Sequence, residues 1–323
     1  MTVTERALDA ARQINDGRSM SNGIANRVPL YVNIILHAVF AIMAFISVAP
    51  LLLLIAVSVT PEQVLLKDGY QFIPRELTLA AYEFLFKKPD VVVNGYMITI
   101  FVALTGTIGC LLVTVLYAYP ISRMDFPFRN FFSMIIVITL LFNGGLTASY
   151  LINVSVLGLR DKIWALILPA LGNAFYIIIA RTFFRISVPP SLLESARIDG
   201  AGEFRILFRI VLPLSLPMLA TIGLFALFGY WNDWFRALLY INDKTLYPLQ
   251  FVMMRALLNM QEMQRQIAAG FMSADEMMTM LAQMPNETLR MAMAVVAIGP
   301  IVFAYPFFQR YFISGLTVGA VKG

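Results

Sequence analysis

The segment from Ser191 to Gly200 combines residue types at a spacing that suits protein docking rather than catalysis. It reads Ser-Leu-Leu-Glu-Ser-Ala-Arg-Ile-Asp-Gly and follows two prolines, Pro189 and Pro190. Ser191 and Glu194 have the S-x-x-E spacing of a capping box, which predicts that a helix starts at Ser191. Gly200 suits the left-handed conformation that ends a helix. The pattern therefore predicts a helix of about eight residues that carries one prominent carboxylate, Glu194.

The other side chains of this segment suit close contact with a second protein. Leu192, Leu193 and Ala196 form a compact apolar side on the predicted helix. Ser195 and Ala196 are small enough for a docking surface to approach the backbone. Pro213 is expected to start the following helix, because proline is tolerated at a helix N-terminus. The candidate docking residues are Ser191, Leu192, Leu193, Glu194, Ser195, Ala196, Arg197, Asp199 and Gly200.

Catalytic and metal chemistry lack the residues that they need. The sequence has one histidine, His37, and one cysteine, Cys110, so neither a His/Cys metal site nor a disulfide framework is expected. The phosphate-binding pattern G-x-x-x-x-G-K-[ST] is absent. No catalytic residue, metal or cofactor is therefore expected on this chain. If ATP powers it, the ATPase that binds ATP and Mg must be another polypeptide.

The elements that position the docking segment are long apolar runs. Hydrophobic residues make up 59% of the 323 and charged residues only 13%, whereas soluble domains carry about 25% charged residues. A soluble enzyme and a disordered chain are both excluded by this balance. The runs are continuous rather than alternating, which predicts an all-α polytopic membrane protein instead of a barrel. The six predicted spans are approximately Val32–Val59, Val91–Tyr119, Asn130–Ile152, Ile163–Phe184, Leu214–Phe235 and Met291–Phe312.

The charges between the spans predict the orientation. With the N-terminus in the cytoplasm, 13 of the 24 basic residues but only 7 of the 19 acidic ones lie inside, which fits the positive-inside rule. The net charge of +5 is explained by these loops, so a nucleic-acid partner is not expected. Both termini are then cytoplasmic, and the longest outer loop is 236–290. Met253, Leu257, Met260, Gln264 and Ile267 in that loop have helical spacing, which predicts an amphipathic helix.

At this point the sequence resembles a known family. Glu194-Ser195-Ala196, then Gly200, Ile210, Leu212 and Pro213, match the EAA motif E-A-A-x3-G-x9-I-x-L-P. That motif is typical of permease subunits of bacterial ATP-binding-cassette (ABC) importers. Every landmark fits, and the one departure is Ser195 in place of the first alanine.

Further segments are similar to the carbohydrate-uptake branch of this family. The run Glu194–Leu214 resembles the second permease subunit of maltose importers. The segments Asn143–Leu146, Trp231–Phe235, Leu246–Gln250 and Arg310–Gly323 resemble the subgroup that imports oligosaccharides such as alginate fragments. The resemblance covers the chain from about residue 30 onward.

The resemblance implies a type I ABC importer permease fold and an importer of several subunits. A second, homologous permease subunit would complete the path as a heterodimer in the bacterial cytoplasmic membrane. Two ATPase subunits would lie beneath the two permeases, and Glu194 in the docking loop 187–213 would contact a basic residue of the ATPase. An extracytoplasmic solute-binding protein would deliver the oligosaccharide to the outer loop. The expected domains are a tail 1–30, a permease domain 31–315 and a tail 316–323.

Residues with aromatic rings or amides near the spans are candidates for the sugar path, because rings stack on sugars and amides hydrogen-bond to them. The same residues also suit an interfacial belt or helix packing. They are Asn143, Tyr150, Asn173, Tyr176, Tyr230, Trp231, Asn232 and Trp234.

Other function classes remain open at this stage. An ABC importer of a non-sugar solute would share the same loop. A channel or a proton-coupled carrier would give no reason for the EAA motif, and no charged residue lies near the middle of a span.

Overall fold

The computed structural model describes residues 29–87, 89–268, 287–304 and 306–309. All regular structure in these ranges is helical. The predicted terminal tails lie outside these ranges except for residues 29 and 30. The α-helices are α1 Leu30–Ser58, α2 Glu62–Asp68, α3 Ala80–Leu85, α4 Pro89–Ser122, α5 Arg129–Leu141, α6 Gly145–Leu151, α7 Trp164–Ile167, α8 Ala174–Ser187, α9 Pro190–Ile198, α10 Glu203–Ile206, α11 Leu212–Leu214, α12 Leu216–Trp231, α13 Phe235–Tyr240, α14 Leu249–Ala268 and α15 Glu287–Val302.

Three helices in the described ranges are long and apolar enough to cross a membrane unaided, and three bent pairs could supply further spans. The long helices are Tyr31–Ser58, Pro89–Ser122 and Glu287–Gln309. The pairs are Arg129–Leu141 with Gly145–Val156, bent by 117°, Trp164–Ala170 with Ala174–Ser187, bent by 50°, and Glu203–Leu214 with Leu216–Trp231, bent by 83°. The six predicted spans therefore correspond to helices, but half of them are broken.

Helix α4 forms the centre of the bundle and packs against α8, α12 and α14. Its small residues allow close approach, as is typical of helix contacts in membranes. At Gly106, an added Cβ atom would come within 2.6 Å of the Tyr230 ring on α12. The Tyr230 hydroxyl in turn donates to the Ile167 carbonyl oxygen at 3.1 Å. One ring therefore ties α12 to both α4 and α7.

The amphipathic helix predicted in the outer loop is present as α14. Its first amide, at Leu249, donates to Thr99 Oγ1 on α4 at 2.8 Å. Leu249 and Met253 are buried in one cluster with Val92 of α4 and Leu289 of α15. The first part of the apolar face of α14, up to Leu257, therefore packs against its own bundle. The segment Met253–Met284 is rich in methionine, and its second half, from residue 269 onward, lies outside the described ranges.

We expect Gly106→Ala to destabilise the protein, because the added methyl group collides with the Tyr230 ring and forces α4 and α12 apart. Overpacking of this kind costs about 1–3 kcal/mol in free energy of unfolding. Thermal unfolding of the purified protein in detergent should show a lower melting temperature. Gly229→Ala is the matched control, since nothing lies within 4 Å of a Cβ there. Equal melting temperatures for the two variants would contradict the close packing.

Candidate functional site

The predicted docking helix is present as α9, but it begins one residue earlier than the sequence pattern indicated. It runs from Pro190 to Ile198, with Pro189 in extended conformation at the N-cap position. No side chain caps the first turn, so the predicted capping box of Ser191 and Glu194 is wrong. Proline is favoured as the first helical residue because its fixed φ suits the helix and it has no N–H to satisfy. Pro190 therefore starts the helix, and Ser191 lies inside the first turn.

The end of α9 agrees with the prediction. Gly200 adopts a φ of +76°, which is the left-handed conformation that glycine accepts without a steric penalty. The amide of Ala201 donates to the Ala196 carbonyl oxygen at 2.9 Å, and the amide of Gly200 donates to that of Arg197 at 2.9 Å. These bonds satisfy carbonyl groups at the end of the helix.

The apolar side of α9 is narrower than predicted. Ala196 is buried in a cluster with Ala118 of α4, and Leu193 packs partly buried against the same cluster. Leu192, by contrast, is 37% exposed. The short helix is thus attached to the bundle through Ala196 and Leu193, and Leu192 lies on its accessible surface.

Glu194 lies on the accessible side of α9. It is exposed, and no hydrogen bond or ion pair to it is found within the described part of the chain. The neighbouring Ser195 hydroxyl donates to the Leu192 carbonyl oxygen at 3.0 Å. The carboxylate of Glu194 is therefore free to bind a basic group of another protein.

The span after this loop does not start at Pro213, as the sequence pattern indicated. Helical turns run from Glu203 through Pro213 to Leu214, and after a bend of 83° a new helix begins at Leu216. Pro217 has no N–H and cannot donate to the Pro213 carbonyl, so a continuous helix would lose this bond. The chain therefore breaks between the two prolines, at Ser215.

Four charged side chains close a ring beside α9, which we call the charge ring: Arg123, Asp125, Arg197 and Glu203. Arg123 contacts Asp125 at 2.9 Å and Glu203 at 2.7 Å, and Arg197 contacts Asp125 at 2.8 Å and Glu203 at 2.7 Å. Each arginine thus binds both carboxylates. Tyr119 adds a hydroxyl that donates to Glu203 at 3.0 Å and accepts from Arg123 at 2.8 Å.

The ring stabilises the ionised form of its two acids. The hydrogen bond from Arg123 lowers the pKa of Asp125 to about 2, against a smaller opposing effect of burial. Burial acts to raise the pKa of Glu203, but the hydrogen bonds from Arg197 and Tyr119 outweigh it, so that this pKa is lowered. All four members of the ring are therefore charged at neutral pH.

Sequence reasoning found only one member of the ring, Arg197. Two of the four ion pairs join residues 72 and 80 positions apart, so no local spacing indicates them. Arg197 and Glu203 are six positions apart, which is not a helical spacing either. The one available indication was the placement of Arg123 and Asp125 in a short turn on the same predicted side of the membrane as the docking loop.

Four of the predicted sugar-path aromatics are engaged in packing. Tyr230 and Trp231 are 5% and 4% exposed. The indole N–H of Trp231 donates to the Ala297 carbonyl oxygen at 3.0 Å. Trp234 packs at the edge of the Phe235 ring, 5.6 Å away. Tyr150 stacks on Tyr240 at 5.9 Å.

The predicted amides serve local turns in the described structure. Asn143 Oδ1 accepts from the Gly145 amide at 2.9 Å. Asn173 accepts from the amides of Phe175 and Tyr176, at 3.0 and 3.3 Å, and so caps α8. Asn232 donates to the Phe228 carbonyl oxygen at 3.0 Å. None of these amides and aromatics lines the cavity beside Arg123 and Glu203, the cavity beside Asn94 and Thr245 or the small cavity beside Tyr117 and Phe132, and their role in a sugar path stays a prediction.

Comparison with known proteins assigns this architecture to a family. Residues 121–318 match the family described as "Binding-protein-dependent transport system inner membrane component". The polygalacturonan/rhamnogalacturonan transport system permease protein YtcP of Bacillus subtilis (strain 168) is 37% identical over 291 residues, which cover 90% of this chain and 98% of the relative. The arabinooligosaccharides transport system permease protein AraQ of Halalkalibacterium halodurans is 31% identical, covering 88% and 94%.

A solved structure has the same fold. It is a crystal structure of a bacterial ABC transporter involved in the import of the acidic polysaccharide alginate, and the matched chain superimposes with a TM-score of 0.74 at 27% identity. The match covers 89% of this chain and all of the other. The family match, the relatives and the shared fold agree: this chain belongs to the binding-protein-dependent transport system inner membrane components, the permease subunits of ABC importers.

Proposed function

We propose that this chain translocates an oligosaccharide across the bacterial inner membrane by alternating access, driven by a separate ATPase. The observation that carries the proposal is helix α9, attached to the bundle by Ala196 while Glu194 remains exposed and unpaired in the described structure. A short helix of this kind can bind an ATPase subunit on one side and move the bundle on the other.

The substrate class follows from the relatives. Their names specify polygalacturonan or rhamnogalacturonan and arabinooligosaccharides, and the related structure imports alginate. All are carbohydrates with several sugar units, which supports an oligosaccharide for this chain. We propose no non-sugar solute, because nothing in the described structure favours one.

An importer permease of this family works with a partner permease, an ATPase and a solute-binding protein. For this chain we propose a different, homologous permease as partner, two ATPase subunits of which one binds α9, and a binding protein at the outer loop. Both termini would then be cytoplasmic, as the distribution of basic residues indicates.

Reconstituted transport tests this function directly. We expect vesicles that contain both permeases and the ATPase to accumulate labelled oligogalacturonide or arabino-oligosaccharide only with ATP inside and binding protein outside. Mass spectrometry of the glycan that co-purifies with the binding protein selects the probe. Uptake by this chain alone, without ATP, would overturn the proposal and support a channel or carrier.

We expect Glu194→Ala to weaken ATPase binding, because it removes the free carboxylate of α9 without affecting a helix cap. Charge-assisted contacts at protein interfaces contribute about 2–5 kcal/mol when one partner is truncated, so transport should fall at least about tenfold. The measurement is ATP-dependent uptake together with recovery of the ATPase on the purified permeases. Glu76→Gln is the control, since Glu76 is an exposed acid in a predicted outer segment. Normal assembly and full uptake by the Glu194 variant would refute the docking role.

Gly200→Ala should also impair coupling, because a Cβ atom in the left-handed conformation costs roughly 1 kcal/mol and would alter the chain direction after α9. The nearby Gly202 has an ordinary φ of −72°, and nothing lies within 4 Å of a Cβ there. Gly202→Ala is therefore expected to transport normally. The comparison is made by measuring uptake rates of the two variants at equal permease content, and equal rates would contradict the role of the left-handed turn.

A further inference from the structure

We propose that the charge ring couples the docking loop to α4, so that α9 and the long central helix move as one body during transport. This inference rests on the proposed function, since it concerns how force from an ATPase reaches the bundle. Arg123 and Asp125 belong to the turn that follows α4, whereas Arg197 and Glu203 belong to the docking loop. The ring is thus the polar link between these two segments.

The geometry of the ring distinguishes it from ordinary exposed surface ion pairs, which contribute little to stability. The Arg123 side chain is only 10% exposed, and its guanidinium also lies 5.6 Å from the centre of the Tyr119 ring. Asp125 and Arg197 are more exposed, at 51% and 40%. Because every member has two ionic partners, one pair cannot open without straining the next. Networks of this kind hold more firmly than separate pairs.

An apolar contact lies beside the ring and aligns the same two segments. Ala196 and Ile206 of the docking loop are buried in one cluster with Ala118 and Ile121 of α4. The apolar contact resists separation but allows sliding, because dispersion forces are non-directional. The hydrogen-bonded ring fixes the direction. Together they make the joint between the loop and α4 rigid.

Helix α4 is long enough to carry a movement through the bundle. Its 34 residues extend about 51 Å at 1.5 Å per residue. At its far end, Asn94 donates to the Thr245 carbonyl oxygen at 2.7 Å, and Thr99 anchors the start of α14. A displacement of α9 would therefore reach the outer loop through one continuous helix.

A different role for the ring is to shape the docking loop alone. Arg197 and Glu203 flank Gly200, and their pair by itself could close that loop. The two roles make different demands on charge. Shaping the docking loop needs only opposite charges at positions 197 and 203. Coupling the loop to α4 also needs its charges to be opposite to those of Arg123 and Asp125 in the turn after α4.

Paired charge reversals separate these roles. Arg197→Glu with Glu203→Arg keeps the pair within the loop but places like charges against Asp125 and Arg123. Arg123→Glu with Asp125→Arg does the same from the side of α4. The combination of all four substitutions restores opposite charge at every contact of the ring. Lys162→Gln is the control, since Lys162 is exposed, lies outside the docking loop and has no ion pair in the described structure.

The readout is oligosaccharide transported per ATP hydrolysed by purified complexes whose subunit composition has been checked by gel filtration. We expect both double variants to assemble and hydrolyse ATP, but to transport at least about tenfold less sugar per ATP, because facing like charges cost several kcal/mol. The fourfold variant should regain at least half of the wild-type ratio. Lys162→Gln should stay within about twofold of wild type.

Two results would overturn the coupling role. One is a normal transport ratio in either double variant, which would leave the ring with loop shaping only. The other is a fourfold variant that transports as little sugar per ATP as the double variants. That result would show that opposite charge between the loop and the turn after α4 does not determine the transport ratio. The wild-type complex in the same vesicles tests the proposed function separately, because its failure to transport would be seen before any variant is compared.

Discussion

The structure depends on close approach of helices along α4. Gly106 leaves room for the Tyr230 ring, and Gly95 lies against the backbone of Leu249, where a Cβ atom would be 3.2 Å away. In lipid the hydrophobic effect does not hold helices together. Helix association therefore depends on van der Waals packing and on interhelical hydrogen bonds. The small residues of α4 make both possible, and α8, α12 and α14 take their positions from it. The charge ring and the start of α14 are positioned by the two ends of the same helix.

The sequence predicted the all-helical class and the end of α9 at Gly200 well, and the reasons are local. Apolar runs of spanning length indicate helices, because lipid leaves the backbone few other ways to satisfy its hydrogen bonds. The left-handed Gly200 follows from its place after a short helix. The family resemblance stated from the EAA spacing is confirmed by the residue 121–318 match and by the relatives.

Some features that the sequence did not predict depend on residues that compete for the same structural role. Others depend on residues that are far apart in the chain. The start of α9 was misplaced because Pro190 competes with Ser191 for the helix N-terminus. The break at Ser215 depends on two prolines whose effects combine, so that neither alone indicates it. The aromatic residues Tyr230 and Trp231 have the composition of a sugar site, yet their polar atoms bond to carbonyl groups within the bundle. The charge ring joins distant residues, and only the folded chain brings them together.

The break in the third predicted span has a consequence for the surroundings of the subunit. Helix α5 has 13 residues, or about 20 Å, whereas the hydrocarbon core is about 30 Å thick. The chain then turns through 117° at residues 142–144, where Phe142 is 72% exposed. Backbone outside a helix is not tolerated against lipid tails at this depth. We therefore expect this edge of the subunit to adjoin protein or water wherever the turn lies within the hydrocarbon core.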